Sequence, residues 1–417
     1  MKTLLAVLIW SALSGLAMAQ SNRIDELRPD APALAAHGEF AIGVRTITVT
    51  HYNQANVLNG SDPLYERPLT LEVWYPAEPA RIAPATDYAD VTLIGGTVRY
   101  TLHGSAVRDA TPLPVAKPAP LVILSHGYPG NRFLISHFGE HLASRGYVVA
   151  AIDHFESTYH NQLGFASTLM NRPLDQLFVL SEIDRLSKTP GQFLHGIVDA
   201  SNTAVIGYSM GGYGAIISAG GGVTQASTEL PFAPANGALQ KLQAGTKAYK
   251  ALLDPRLKAI VAIGPWGRQM GFWDADGLAG IAIPALFMAG SLDEVSGYAE
   301  GTRKIFEETV NSDRYLLTFD NAGHNAAAPI PAPAEAYIPD AQGKTGFEHY
   351  ADFVWDNVRM NNIADHFVTA FLDLHLRGDS AKRAYLDMTF SDDYSEQNWN
   401  GFGPRTARGL KLEHAAP

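Results

Sequence analysis

A serine between glycines, Gly207-Tyr208-Ser209-Met210-Gly211, follows the short apolar run Thr203-Ala204-Val205-Ile206 and precedes small residues suited to a helix start. This is the pattern of a strand that turns sharply into a helix and leaves its central side chain exposed. Glycines on either side remove the Cβ atoms that would clash in such a turn. A serine hydroxyl is a weak nucleophile at neutral pH; it needs a base to take its proton and a carboxylate to orient that base. On an elbow of this kind the partners follow the serine in the order acid, then histidine. Asp293, in Ser291-Leu292-Asp293-Glu294 after an apolar run at 284–288, is the expected acid. Helix capping is its alternative role, and Glu294 is the neighbouring candidate. His324, in Ala322-Gly323-His324-Asn325 after the run at 315–319, is the expected base, with a glycine before it to let the loop bend.

The tetrahedral intermediate of such a reaction carries an oxyanion that needs preorganised N–H donors. Met210, next after the serine, is expected to supply one. The glycine-rich loop Ser125-His126-Gly127-Tyr128-Pro129-Gly130 is expected to supply the other from Tyr128, with His126 as a buttress and not a proton carrier. Trp266, in Gly264-Pro265-Trp266-Gly267, follows another strand-like run. It either lines a substrate subsite or packs in the rim, and the sequence leaves both readings open. His137-Phe138-Gly139-Glu140-His141 has the H-x-x-E-H spacing of a zinc peptidase helix. Gly139 weakens a helix there, and the segment falls where a sheet-covering helix is expected. The serine chemistry calls for no metal or organic cofactor.

These residues need a scaffold that presents loops at one edge. Short β-branched runs at 121–124, 148–152, 204–206, 259–263, 284–288 and 315–319 read as strands buried on both faces. Helix patterns lie between them at 133–145, 174–186, 211–219 and 298–310, and a last one ends at Gly378. The fold class is therefore α/β, a doubly wound and mostly parallel sheet, with antiparallel edge strands at 44–50 and 69–75. Open sheets of this kind place functional groups at the carboxyl ends of their strands. A single domain over 20–417 is expected, with insertions near 78–120, 154–200, 220–255 and 325–352. The tail from 391 onward shows no period and is expected to pack as an irregular strap.

Residues 1–19 show a lysine, an apolar core and an Ala-Met-Ala stretch before Gln20, the pattern of a secretory signal. A secreted or periplasmic product without a stable membrane anchor is expected. The 417 residues contain no cysteine, which excludes disulfides, thiolate nucleophiles and thiolate metal sites. The formal charge of −11 and the absence of a Lys/Arg block argue against nucleic acid as a partner.

The elbow, Ser125-His126-Gly127, Glu72-Val73-Trp74-Tyr75-Pro76, the stretch at 142–149 and Arg172-Pro173-Leu174-Asp175 together resemble the α/β-hydrolase superfamily. Within it they look like secreted dienelactone-hydrolase-like esterases related to platelet-activating-factor acetylhydrolases. The resemblance implies hydrolysis of a small-molecule, lipid or polymer ester through an acyl-enzyme. Two departures shape it: dienelactone hydrolases use a cysteine nucleophile, and the acetylhydrolases keep their acid after the preceding strand, where this chain has Gly264-Pro265-Trp266. Bacterial cutinases and polyester hydrolases also look similar around Ser209, Tyr128 and Trp266, with the acid at the position of Asp293.

Overall fold

Ten strands hydrogen-bond into one sheet in a computed structural model that describes residues 22–58, 64–79, 84–387 and 399–417. The signal-like residues 1–19 lie outside the described residues. In chain order the strands are β1 (Ala41–Gln54), β2 (Tyr65–Ala77), β3 (Asp87–Thr92), β4 (Arg99–His103), β5 (Val107–Arg108), β6 (Ala119–Ser125), β7 (Val148–Asp153), β8 (Val198–Tyr208), β9 (Leu257–Ile263), β10 (Ala285–Gly290), β11 (Arg314–Phe319) and β12 (Leu410–Ala415). The main helices are α1 (His137–Ser144), α2 (Phe165–Lys188), α3 (Met210–Ser218), α4 (Arg303–Glu308) and α5 (Asn357–Arg377).

The sheet order is β12-β11-β10-β9-β8-β6-β7-β2-β1-β5, and β3 with β4 forms a separate hairpin within 78–120. From β7 to β11 every neighbouring pair is parallel, while β2 pairs antiparallel with both β7 and β1. Within their apolar runs the parallel strands bury both faces, while the first half of β8 is polar and partly exposed. Leu121 and Ile123 point into the core beneath α2 and α3, and Val122 and Leu124 into the core that includes α1 and α5. The chain moves outward from β6 to β7, then returns to place β8 on the other side of β6. This reversal is a topological switch point, where a crevice opens at the carboxyl ends of the strands.

Three expectations change. The tail is not an irregular strap at its end: Leu410–Ala415 pairs antiparallel with β11 over its whole length and closes that edge of the sheet. Leu410 and Leu412 turn inward, an alternation too short to stand out in a sequence. The helix expected over 133–145 begins at His137, because residues up to 136 form turns. The helix expected over 174–186 runs from Phe165 to Lys188 and contains Pro173. Proline cannot donate to the carbonyl four residues back; that carbonyl, Leu169 O, accepts instead from the Tyr213 hydroxyl of α3 at 3.1 Å. The helix break that proline threatens becomes a tie between two helices.

The H-x-x-E-H segment is α1, buried along its whole length. Glu140 accepts from the Tyr88 hydroxyl at 2.5 Å and from the backbone N–H groups of Ser105 and Ala106 at 2.7 and 3.0 Å. His141 Nε2 meets Thr369 at 2.7 Å. Among the described residues no three His, Cys, Asp or Glu side chains are placed to hold a metal ion. Gly139 is there for packing: a Cβ on it would stand 2.6 Å from the ring of fully buried Trp74. Helix propensity alone makes Gly139→Ala stabilising by up to about 1 kcal/mol, but overpacking a rigid core costs about 1–3 kcal/mol. The variant is therefore expected to melt below the wild type, and a higher melting temperature would refute this packing.

Several histidines are buried neutral. Burial pushes His137, His154 and His366 down to about 3 and His349 down to about 4. Unfolding returns each to the ordinary value of about 6.5. The unfolded chain then binds more protons, so full stability is present above roughly pH 6.5 and is lost as pH falls toward the folded values. Urea denaturation between pH 7 and 5 should show uptake of roughly two or more protons on unfolding at pH 5. A flat profile would contradict the burial.

Candidate active site

The register of neighbouring strands brings the elbow and the loop after β6 together. Ser125 pairs with Gly207 across β6 and β8, so both chains leave the sheet at the same level. Ser209 sits between β8 and α3 with φ 54° and ψ −112°, a strained conformation for a residue with a side chain. The glycines make the turn possible by close approach. A Cβ on Gly211 would lie 1.9 Å from the Ser125 carbonyl oxygen, and one on Gly207 would lie 2.2 Å from the Gly211 carbonyl oxygen.

The expected acid and base arrive on β10 and β11, whose register pairs Gly290 with Phe319. His324 Nδ1 lies 3.0 Å from both carboxylate oxygens of Asp293, and His324 Nε2 lies 3.0 Å from Ser209 Oγ. The carboxylate can only accept, so Nδ1 carries the proton and Nε2 is left to accept from the serine hydroxyl. Asp293 Oδ1 also accepts from the N–H groups of Val295 and Ser296 at 2.9 and 2.8 Å. The carboxylate thus braces the turn at 293–296 and does not cap the helix that starts at Tyr298, whose N-cap position is Gly297. Gly264, at φ +49°, leaves the pair its room: a Cβ there would reach within 3.2 Å of Asp293 Oδ2 and 3.3 Å of the His324 ring. Glu294 is exposed and makes no such contact with His324.

A cleft of about 220 Å³ opens above Ser209, lined in part by Tyr128, Tyr208, His324, Asn325 and His349. Met210 is the first residue of α3, so no carbonyl within the helix can reach its N–H. Gly127 approaches so closely that a Cβ on it would stand 3.4 Å from Ser209 Cβ, which sets the following peptide beside the serine. Trp266 is half-buried, and its backbone N–H donates to the Ser209 carbonyl at 3.3 Å. Its ring packs edge-on to Phe165 at 5.2 Å, and Phe165 packs edge-on to Tyr128, also at 5.2 Å. The three rings form a continuous ridge beside the elbow.

Sequence reasoning missed the frame of this cleft. The Tyr208 hydroxyl donates to Asn325 Oδ1 at 2.8 Å, and Asn325 Nδ2 donates to the carbonyls of Glu348 and Ala351, each at 2.8 Å. The Tyr159 hydroxyl meets His349 Nε2 at 2.6 Å. The segment 325–352 is thereby fastened across the cleft. Only the adjacency of Asn325 to His324 hinted at it. A second serine–histidine–aspartate row lies underneath: Ser125 Oγ to His154 Nε2 at 2.8 Å, and His154 Nδ1 to Asp175 Oδ2 at 3.0 Å. All three are buried, so this row has no access to a substrate.

Residues 112–242 match the family model described as PET hydrolase-like, and residues 30–165 match that of platelet-activating factor acetylhydrolase, isoform II. Neither match extends to Asp293 or His324. Cutinase est1 of Thermobifida alba is 27% identical over 206 residues, 49% of this chain and 53% of that protein. A platelet-activating factor acetylhydrolase of Cavia porcellus is 28% identical over 143 residues, 33% of each chain. The chain spans about half the length of the cutinase it matches. A solved ferulic acid esterase from Streptomyces cinnamoneus superposes with a TM-score of 0.58 at 24% identity, over 89% of this chain and 97% of that one. The chain has the α/β-hydrolase fold.

Gly211→Ala is expected to be strongly destabilising although it removes no polar group, because the clash is with the backbone of a central strand. Soluble yield and melting temperature should both fall; wild-type values would contradict the contact between the elbow and β6.

Proposed function

We propose that this chain is a serine esterase that cleaves carboxylic esters through an acyl-enzyme intermediate. The observation that carries this reading is the row Asp293, His324, Ser209, with 3.0 Å at each step, ending in an open cleft. His324 Nε2 takes the serine proton as Oγ attacks the ester carbonyl carbon. Asp293 holds the imidazole in the required tautomer and stabilises its charge. The Met210 and Tyr128 N–H groups receive the oxyanion. When the intermediate collapses, His324 returns the proton to the departing alcohol. Water, activated by the same imidazole, then releases the acid and restores the serine.

Cleft shape and charge narrow the substrate. A volume of about 220 Å³ suits a short acyl group. Glu294 and Glu348 are exposed on its lining, which favours neutral or cationic esters over anionic ones. A polyester or lipid substrate is the second reading. It is favoured by the aromatic ridge and by exposed Val295 and Leu292 at the Asp293 loop. The signal-like leader supports a secreted or periplasmic location, and no helix among the described residues is long and apolar enough to cross a membrane.

Ser209→Ala should lower turnover of p-nitrophenyl esters on the order of 10⁶-fold while leaving the melting temperature within a few degrees. A chain-length series from acetate to palmitate should peak at short acyl groups, and release of soluble product from a polyester film would favour the second reading. Wild-type rates in the variant would end the serine mechanism. An inert wild type would instead point to a non-catalytic binding role.

A further inference from the structure

Arg172 is buried under the loop that follows β6, and none of its hydrogen bonds goes to a carboxylate. One guanidinium nitrogen, Nη1, donates to the His126 carbonyl; the other, Nη2, donates to the Gly127 carbonyl at 3.3 Å and to Ser157 Oγ at 2.6 Å. A buried cation is costly unless its donors are met. Asp175, the carboxylate that acts on its charge, is already bound by Arg67 at 2.9 Å and by His154 at 3.0 Å. The fold therefore spends a buried guanidinium on two adjacent backbone carbonyls. The Gly127 carbonyl accepts a further hydrogen bond, from His126 Nδ1 at 2.7 Å, which sets the tautomer of that ring.

The Gly127 carbonyl and the Tyr128 N–H belong to one peptide group. In a trans peptide they lie on opposite edges of a plane, and the only cis bond among the described residues is the next one, Tyr128-Pro129. With its carbonyl turned down onto Arg172, this peptide turns its N–H up, toward the cleft that Gly127 and Tyr128 line. Donation to a carbonyl also draws charge through the amide and makes the N–H at its other end a stronger donor, because hydrogen bonds in a chain polarise one another.

We propose that Arg172 is a positioning residue for the oxyanion site: through the Gly127 carbonyl it aims and polarises the Tyr128 N–H without touching substrate. The inference rests on the esterase reading, with Tyr128 as donor. Burial pushes the guanidinium down to about 9, with Asp175 opposing, so it keeps its charge at neutral pH. The tie from Tyr213 to Leu169 holds the helix that carries it at the point where Pro173 leaves that carbonyl without its helical donor.

The test compares full-length wild type, Arg172→Ala, Arg172→Lys and Ser209→Ala on p-nitrophenyl butyrate, together with inhibition by phenylethyl boronic acid, whose tetrahedral adduct carries the oxyanion. Loss of a whole oxyanion donor costs about 10²–10³ in turnover, so Arg172→Ala should lose roughly 10–100-fold in kcat with KM within about twofold. Boronate affinity should fall by a comparable factor, and Arg172→Lys, which keeps charge but not the fork, should fall between. Added guanidinium should restore part of the alanine variant's rate. If Arg172→Ala does not fold, Arg172→Lys alone decides, read by the same split between kcat and KM. Variants with unchanged kcat, a loss confined to KM, or unchanged boronate affinity would overturn this inference alone. A wild type without Ser209-dependent hydrolysis would overturn the esterase reading and this inference with it.

Discussion

The contact that the rest of the site depends on is backbone against backbone, where α3 starts directly under the end of β6. Gly211 can sit there only without a side chain, because the Ser125 carbonyl occupies the place of its Cβ. That contact sets how sharply the chain turns at Ser209 and forces the positive φ that lifts the side chain into the cleft. It also fixes the distance from the serine to the loop after β6, since Ser125 is both the obstacle to Gly211 and the start of that loop. Ser209 and the loop after β6 are therefore positioned by one packing event.

The site has two storeys of polar chemistry separated by that contact. Above it, Asp293 and His324 reach Ser209 from two neighbouring strands. Below it, Arg67, Asp175, Glu156 and His154 form a buried network, and beside it the buried Arg172 donates to the two carbonyls of the loop after β6. Burial works against the Asp175 carboxylate, but Arg67 and His154 outweigh it and hold it at about 2. The lower storey contains its own serine, histidine and aspartate in a row with distances like those above. What separates the two rows is access and backbone strain, not side-chain geometry. Ser125 ends a strand in extended conformation and is fully buried, whereas Ser209 is held on a strained turn at the cleft.

The H-x-x-E-H segment teaches a related lesson about motifs. Its spacing places two imidazoles and a carboxylate on one helix, yet the helix is packed on every side. Glu140 satisfies Tyr88 and two backbone amides of the 104–106 turn, and Gly139 makes room for Trp74. The same residue types serve the interior when the surrounding elements supply their partners.

Much of this was legible in the residues themselves. The strands announce themselves because parallel strands buried on both faces must be continuously apolar, and the elbow because only glycine tolerates the approach of α3 to β6. The elbow carries the expected order serine, acid, histidine, and the strand ends then point to Asp293 and His324, which the structure brings into a row with Ser209. The tertiary structure alone decided the rest. The terminal strand β12 was hidden because two inward leucines are too few to show a period. The role of Asn325, His349 and Tyr208 depends on a long segment folding back across the cleft, and no local propensity encodes that path. Arg172 looks like any helical arginine until the loop from β6 settles over it. A sequence declares what local backbone geometry and burial demand of each residue, while partners brought together from distant parts of the chain exist only once the sheet has set its register.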